Sequence, residues 1–414
     1  MTKETSAQTY LDEIKDKLYG DSTVAKIWGV ASPALSQQEP PTGFPNYAPD
    51  GKYVLNDADY WTSGFFPGSV YALLERSKNY PDFFPKSKIH EVKLEYAARW
   101  WAEPMAARAT TTTTHDLGFM IAPAFKREWV LTNSKKSEEI LITAANSLAS
   151  RFDEKVGCIR SWDDLPPIKK DQKPKDINKD FLVIIDNMCN LNLLYLGAYL
   201  SRDFRLSTIA TKHAETTLKN HFRDDWSSYH VVQYNKQTGE VDSKYTAQGF
   251  ADESGWTRGQ AWGILGYIET YFWTKDRKFL EASKNIANYY VSKLPEDGVP
   301  PWDFDAPDKH IRDVSSAMAA ALGMIRIYEV EKDEEILKKG LKLVRDCINL
   351  SYNNDAKLND DGTVEIGAAE TILNNSTYIH NPACTVDIYD HGLVYADYYF
   401  LVIGNKLLQL GLYK

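Results

Sequence analysis

Apolar residues recur along this chain at helical spacing in long runs, and two-residue alternation is confined to short stretches. The pattern predicts about twelve helices, near 7–19, 63–79, 86–103, 117–131, 136–151, 185–200, 204–221, 257–274, 276–293, 313–330, 333–350 and 389–409. They fall into pairs. The run over 185–200 is apolar nearly all round and demands burial on every side. Its successor, 204–221, mixes Lys, His and Arg with apolar positions, as an outer, solvent-facing helix does. Ser134-Lys-Lys-Ser-Glu and Thr274-Lys-Asp-Arg separate members of a pair as short turns between antiparallel neighbours.

After the first helix, the apolar members start near 63, 117, 186, 257, 313 and 389, which is 54 to 76 residues apart. An open solenoid of the TPR type would repeat at about half that length. A closed double ring of inner and outer helices, an all-α (α/α)6 barrel or six-hairpin toroid, accounts for the spacing. It makes residues 1–414 a single catalytic domain, with 1–55 a partly extended N-terminal segment packed on the barrel. Short β excursions are expected in the long loops, at 156–162 and 228–235. Thr110 to Thr114 reads as extended, and Lys169-Lys-Asp-Gln-Lys-Pro-Lys-Asp as a solvated charged loop.

Composition narrows the function classes. No stretch approaches the eighteen or so apolar residues of a membrane span. Read as a natural start, Met1-Thr-Lys-Glu-Thr-Ser-Ala has no signal-peptide core and predicts a cytoplasmic protein. Cys158, Cys189, Cys347 and Cys384 are scattered, against both a disulfide framework and a zinc site. A net charge of −9 disfavours nucleic-acid binding but leaves room for a small anionic substrate beside a local arginine. Aromatics make up 13% of the chain, enough to supply sugar-stacking faces as well as core. No metal or cofactor is called for, and the oligomeric state is left open.

In a ring of this kind the starts of the inner helices converge on one mouth. For this chain they bring Trp61, His115 with Asp116, Asp186, Trp256 with Arg258, Arg312 with Asp313, and His391. A single aspartate at a helix start reads as an N-cap. Two at one mouth, beside aromatics and an arginine, read as an acid/base pair, because neighbouring desolvated carboxylates cannot both ionise easily. Arg312 and Asp313 read as a local structural pair, and His115 as the residue that orients Asp116. Trp302 fits either core or rim.

Eight blocks carry a resemblance. They are Trp61-Thr-Ser-Gly-Phe-Phe-Pro-Gly, Thr114-His-Asp-Leu-Gly-Phe, Gly157-Cys-Ile-Arg-Ser-Trp-Asp and Ile185-Asp-Asn-Met, followed by Gln248-Gly-Phe-Ala-Asp-Glu-Ser-Gly-Trp-Thr-Arg-Gly-Gln-Ala-Trp, Pro301-Trp-Asp-Phe-Asp, Arg312-Asp-Val-Ser-Ser-Ala and Tyr395-Ala-Asp-Tyr-Tyr-Phe. In this order, over roughly residues 55–405, the chain resembles the unsaturated glucuronyl hydrolases. The resemblance implies an (α/α)6 barrel and hydrolysis of polysaccharide-lyase products through hydration of a C4=C5 enol ether, with a small unsaturated uronyl oligosaccharide as the partner.

By the same resemblance Asp186 is the acid/base and Asp116 its partner carboxylate. His230 and Gln248 lie near the uronate, Trp61 and Trp256 are stacking platforms, and Trp262 joins the substrate-binding set. Arg258 contacts the sugar of the next subsite. Ala247 departs from the family pattern, where histidine is common. Residues 370–384 hold no Lys or Arg, which counts against a preference for sulfated fragments. The alternatives are an unsaturated rhamnogalacturonyl hydrolase or a non-catalytic glycan-binding toroid.

Overall fold

The computed structural model describes residues 6–163 and 176–413 and is mostly helical. The helices are α1 (Ala7–Tyr19), α2 (Asp21–Ala31), α3 (Phe65–Asn79), α4 (Glu91–Ala102), α5 (Leu117–Thr132), α6 (Lys135–Ala149) and α7 (Asn187–Ser201). They continue as α8 (Phe204–Asn220), α9 (Thr257–Thr274), α10 (Arg277–Ser292), α11 (Val314–Glu331), α12 (Glu334–Ser351) and α13 (Val394–Gln409). Among the described residues no helix is long and apolar enough to cross a membrane.

Packing follows the two kinds of pattern. The apolar helix α3 packs on α5, α5 on α7, α7 on α9, α9 on α11, α11 on α13, and α13 back on α3. The amphipathic helices α4, α6, α8, α10 and α12 lie against them, each with its charged face outward. Close approach between the apolar helices needs residues without a side chain. A Cβ on Gly266 of α9 would lie 2.4 Å from Met188 Cβ and 2.8 Å from the Met188 carbonyl carbon in α7. Gly266→Ala should therefore push α7 and α9 apart and cost about 1–3 kcal/mol in a chemical denaturation experiment. An unchanged midpoint would mean that the seam is looser than these distances imply.

One connection is used four times. α5, α7, α9 and α11 end on Asn133, Arg202, Lys275 and Lys332 in the left-handed region, and the next residue begins the following helix as an N-cap. Those caps are Ser134, Asp203, Asp276 and Asp333, each accepting a backbone N–H two or three residues on. The two-residue hinge sends α6, α8, α10 and α12 back along their inner partners.

Several boundaries differ from the sequence reading. The N-terminal region is more helical than expected, because Asp21–Ala31 forms α2. Its β-branched and aromatic content hides the helix, and Lys26, fully buried, anchors it to Asp355 (2.6 Å) and to the Ile366 and Ala369 carbonyls. The last helix begins at Val394 rather than near 389, since Gly392–Leu393 pairs as a strand with Tyr47–Ala48. Thr110 closes a 3-10 turn, Glu103–Thr110, and Thr114 bridges to Trp162. A three-stranded antiparallel sheet of Asp180–Ile184, Val231–Asn235 and Val241–Tyr245 contains two strands that the sequence reading did not place. Lys169 to Lys175 of the expected charged loop lie outside the described residues.

Candidate active site

Asp116 and Asp186 occupy the N-cap positions of α5 and α7, yet neither side chain caps its helix. Asp203, Asp276, Asp313 and Asp333 do cap theirs. The capping reading therefore fails for the two residues that the chemistry needs. Phe119 N–H of the first turn of α5 donates instead to Asn190 Oδ1 on α7 (3.0 Å).

Ser161 ties the two aspartates into one frame. Fully buried, it accepts from His115 N–H (2.9 Å) through its carbonyl and donates its own N–H to the Leu182 carbonyl (2.8 Å). Its Oγ accepts from Ile184 N–H (2.9 Å). The strand that leads into Asp186 is thus fastened to the residue before Asp116. On the strand's other side Ile185 N–H donates to the His230 carbonyl (3.1 Å), which sets His230 beside Asp186.

The environments of the two carboxylates differ. Asp116 accepts from Thr114 Oγ1 (2.6 Å) and Trp162 Nε1 (3.4 Å), and His115 Nε2 lies 3.2 Å from its Oδ1. Burial works against its charge, but the His115 imidazole and the donors Thr114 and Trp162 outweigh it and hold the carboxyl below its ordinary range. Asp186 has a buried Oδ1 with no hydrogen-bond partner. Burial pushes it up to about 7, and the Asp116 charge adds to that rise while His115 and Arg258 pull against it. One carboxylate is held ionised and its neighbour is held protonated towards neutral pH. An acid/base pair needs this division.

The other expected residues gather round the pair. Trp61 is half-buried, stacked on Tyr378 at 6.2 Å and tilted against Tyr395 at 5.1 Å. The His230 ring lies 4.3 Å from Trp256. His230 Nδ1 accepts from the N–H groups of Ala247 (3.0 Å) and Gln248 (3.3 Å), so the ring proton sits on Nε2. Gln248 is buried, and its Oε1 accepts from Arg258 Nη2 (3.3 Å).

Arg258 is more deeply built in than a subsite contact would be. It pairs with Asp313 (2.8 Å), donates to the Thr377 and Tyr378 carbonyls, and lies 4.7 Å over the Trp256 ring. Among the described residues its Nε alone finds no partner. Trp262 is fully enclosed against Phe119 and Tyr399, a floor beneath the site, with its indole Nε1 unpartnered.

One reading is corrected, and two further residues are placed. Arg312 and Asp313 do not pair with each other: Arg312 binds Asp297 (2.5 Å), while Asp313 caps α11 and takes Arg258. Trp302 is core, 1% exposed, wedged between Phe250 and His380. His391 bridges by its backbone to Ser376 and rests near Tyr47, away from the carboxylates' hydrogen bonds. The sequence reading also missed Tyr378 and Tyr60, whose hydroxyls meet at 2.8 Å. Tyr378 comes from a loop distant in sequence and carried no helix-start signal. Trp162 lies within the Gly157-Cys-Ile-Arg-Ser-Trp-Asp block, but only the Thr114–Trp162 bridge turns it towards Asp116.

No family model matches the chain. A curated unsaturated glucuronyl hydrolase of Formosa agariphila is 34% identical over 367 residues, which cover 86% of this chain and 81% of the relative. This chain belongs to the unsaturated glucuronyl hydrolases. As a member of that family it is a glycoside hydrolase. The unsaturated chondroitin disaccharide hydrolase of Streptococcus pneumoniae is 30% identical, over 85% of this hydrolase and 83% of that protein. Among solved structures, an unsaturated glucuronyl hydrolase specific for heparin superposes with a TM-score of 0.78 at 30% identity. The match covers 96% of this hydrolase and 99% of that chain.

Proposed function

We propose that this hydrolase releases a 4,5-unsaturated uronic acid from the non-reducing end of lyase-generated oligosaccharides, with Asp186 as acid/base. The observation that carries the proposal is the split pair: Asp186 is held protonated up to about 7, with a buried unpartnered oxygen, beside an ionised Asp116. Asp186 delivers its proton to C4 of the enol ether. The resulting carboxylate then takes a proton from the water that attacks C5. A hemiketal forms at C5, opens, and expels the remaining sugar. Asp186 ends protonated, ready for the next turnover.

Each neighbour has a role in this scheme. Burial keeps the Asp186 proton in place, and the Asp116 charge adds to that hold. His230 offers an Nε2–H donor and Gln248 a side-chain amide for the uronate end of the sugar, while Trp61 provides an aromatic face. Trp256 and Trp262 back the site. Arg258 acts as a positioning residue, joining Trp256, Gln248, Asp313 and the Tyr378 loop, and its charge moderates the rise at Asp186. The cyclic packing of α3, α5, α7, α9, α11 and α13, backed by α4, α6, α8, α10 and α12 with α1 against α13, supports an (α/α)6 barrel forming one catalytic domain.

The substrate preference follows from the 376–391 loop that borders the site. The loop holds no Lys or Arg. Its His380 is engaged by Asp387 (2.6 Å) with Asp308 at 3.8 Å, an acidic setting for an incoming sulfate. Unsaturated disaccharides from several lyases, followed by loss of enol-ether ultraviolet absorbance, test both points. Turnover is expected, faster on unsulfated than on sulfated disaccharides, with deuterium at C4 when the reaction runs in heavy water. No absorbance loss on any substrate, or product without deuterium, would overturn the hydration scheme.

A further inference from the structure

The carboxylate site uses the starts of α5, α7, α9 and α11. Farther along the same helices a cavity of about 360 Å³ opens between α3, α5, α7, α9, α11 and α13, its inner end reaching Phe65, Gly118 and Phe119 beneath the carboxylate site. Lys126 on α5 is ten residues beyond Asp116, about 15 Å along a helix axis. The cavity lies within the range of small-ligand sites, and the hydration chemistry uses none of its charged residues.

Its lining is cationic. Lys126, Arg127, Arg326 and Lys406 face it together with Glu75 and Glu269. The carboxylates are already engaged: Glu75 with Arg127 (3.3 Å), Glu269 with Arg326 (2.8 Å), and nearby Glu329 with Arg326 and with Lys406 (3.2 Å). Four cations thus stand against three carboxylates, and the cation left over is Lys126. Among the described residues no acceptor lies within hydrogen-bond reach of its ammonium. Burial holds the Lys126 amine below its ordinary range, Glu269 opposes that, and Arg326, Arg127 and Lys406 reinforce it. Lys126 is half-buried at the cavity wall, so its ammonium is open to an incoming anion and is not matched by a carboxylate of its own.

A structural explanation would have these cations neutralise the C-terminal dipoles of the inner helices. The ends of α5, α7, α9 and α11 are already closed by backbone N–H groups of Asn133, Arg202, Lys275 and Lys332. Lys126 sits more than a turn before the end of α5 and bonds to no carbonyl. Asn192 also lines the cavity and supplies amide hydrogen-bonding capacity next to the charge.

We propose that this cavity binds a small oxyanion-bearing ligand, a carboxylate, sulfate or phosphate, with Lys126 and Arg326 as its principal contacts. Guanidinium and ammonium donors to such an anion form charge-assisted hydrogen bonds, the strong class. The test uses the full-length wild-type protein and three probes: sodium sulfate, inorganic phosphate and gluconate. Lys126 acylation by acetic anhydride, read by peptide mass spectrometry, should slow about tenfold when the preferred probe saturates the site. Calorimetry should show saturable binding weakened about tenfold or more in Lys126→Gln and unchanged in Asp186→Asn. Protection by gluconate alone assigns a sugar-acid ligand, and protection by sulfate or phosphate assigns an inorganic or esterified oxyanion. If none of the three slows Lys126 labelling in the wild type, the proposal is wrong. It is equally wrong if Lys126→Gln binds the probes as tightly as the wild type.

Discussion

Asp186→Asn is expected to lower kcat by about a thousandfold or more, because it removes both proton donation to C4 and proton removal from the attacking water. Binding of the unsaturated disaccharide should persist, since the isosteric amide leaves the surrounding walls in place. The variant should also be more stable than the wild type at pH 8. Asp186 has a folded pKa of about 7 against an ordinary value of 3.8. The folded state therefore holds a proton that the unfolded chain has released. Stability falls as pH rises from 3.8 to about 7 and stays at the lower level above it. Each unit is worth about 1.4 kcal/mol, so the loss across this window is on the order of a few kcal/mol. Asparagine does not ionise and escapes this cost. Thermal unfolding at pH 5 and pH 8 measures the difference. An Asp186→Asn protein with near-normal turnover, or one less stable than wild type at pH 8, would remove Asp186 from the acid/base role.

The second large effect is on pH dependence. For the free hydrolase, kcat/KM should hold level through mildly acidic pH and fall about tenfold per unit above pH 7, as Asp186 loses its proton. Asp116 stays ionised across that range because its carboxyl is held low. Asp116→Asn removes one of the influences that raise Asp186, so the alkaline limb should move to lower pH, with kcat reduced as well. A pH–rate profile of kcat/KM for both proteins checks the sign. Movement of the limb to higher pH in Asp116→Asn would show that Asp116 does not act on Asp186 through its charge.

Both effects depend on a pair that could be picked out of the sequence only in part. The positions were legible because Asp116 and Asp186 stand directly before apolar helical runs, at the spacing of a repeated hairpin. Which of them is protonated was not legible, since that depends on neighbours supplied by Thr114, Trp162, His115 and Arg258. Arg258 shows a different limit. Its helix-start position marks it as important, but its use as a buried strut to Asp313 and the Thr377–Tyr378 backbone rests on a loop 119 and 120 residues away. Tyr378 belongs to that loop and left no periodic signal.

The sequence by itself determined the paired helices and which member of each pair is buried, because hydrophobic periodicity is a local property with one low-energy solution. It also marked the hinge turns at Ser134 and Asp276. Only the tertiary structure decided that α2 is helical, that two aspartates are left uncapped, and that the carboxylates titrate apart. Each of these depends on groups distant in the chain: Asp355 and two carbonyls for Lys26, Ser161 for the Asp116–Asp186 frame, and desolvation for the Asp186 proton. Desolvation and electrostatics depend on distance in space, which sequence separation does not encode.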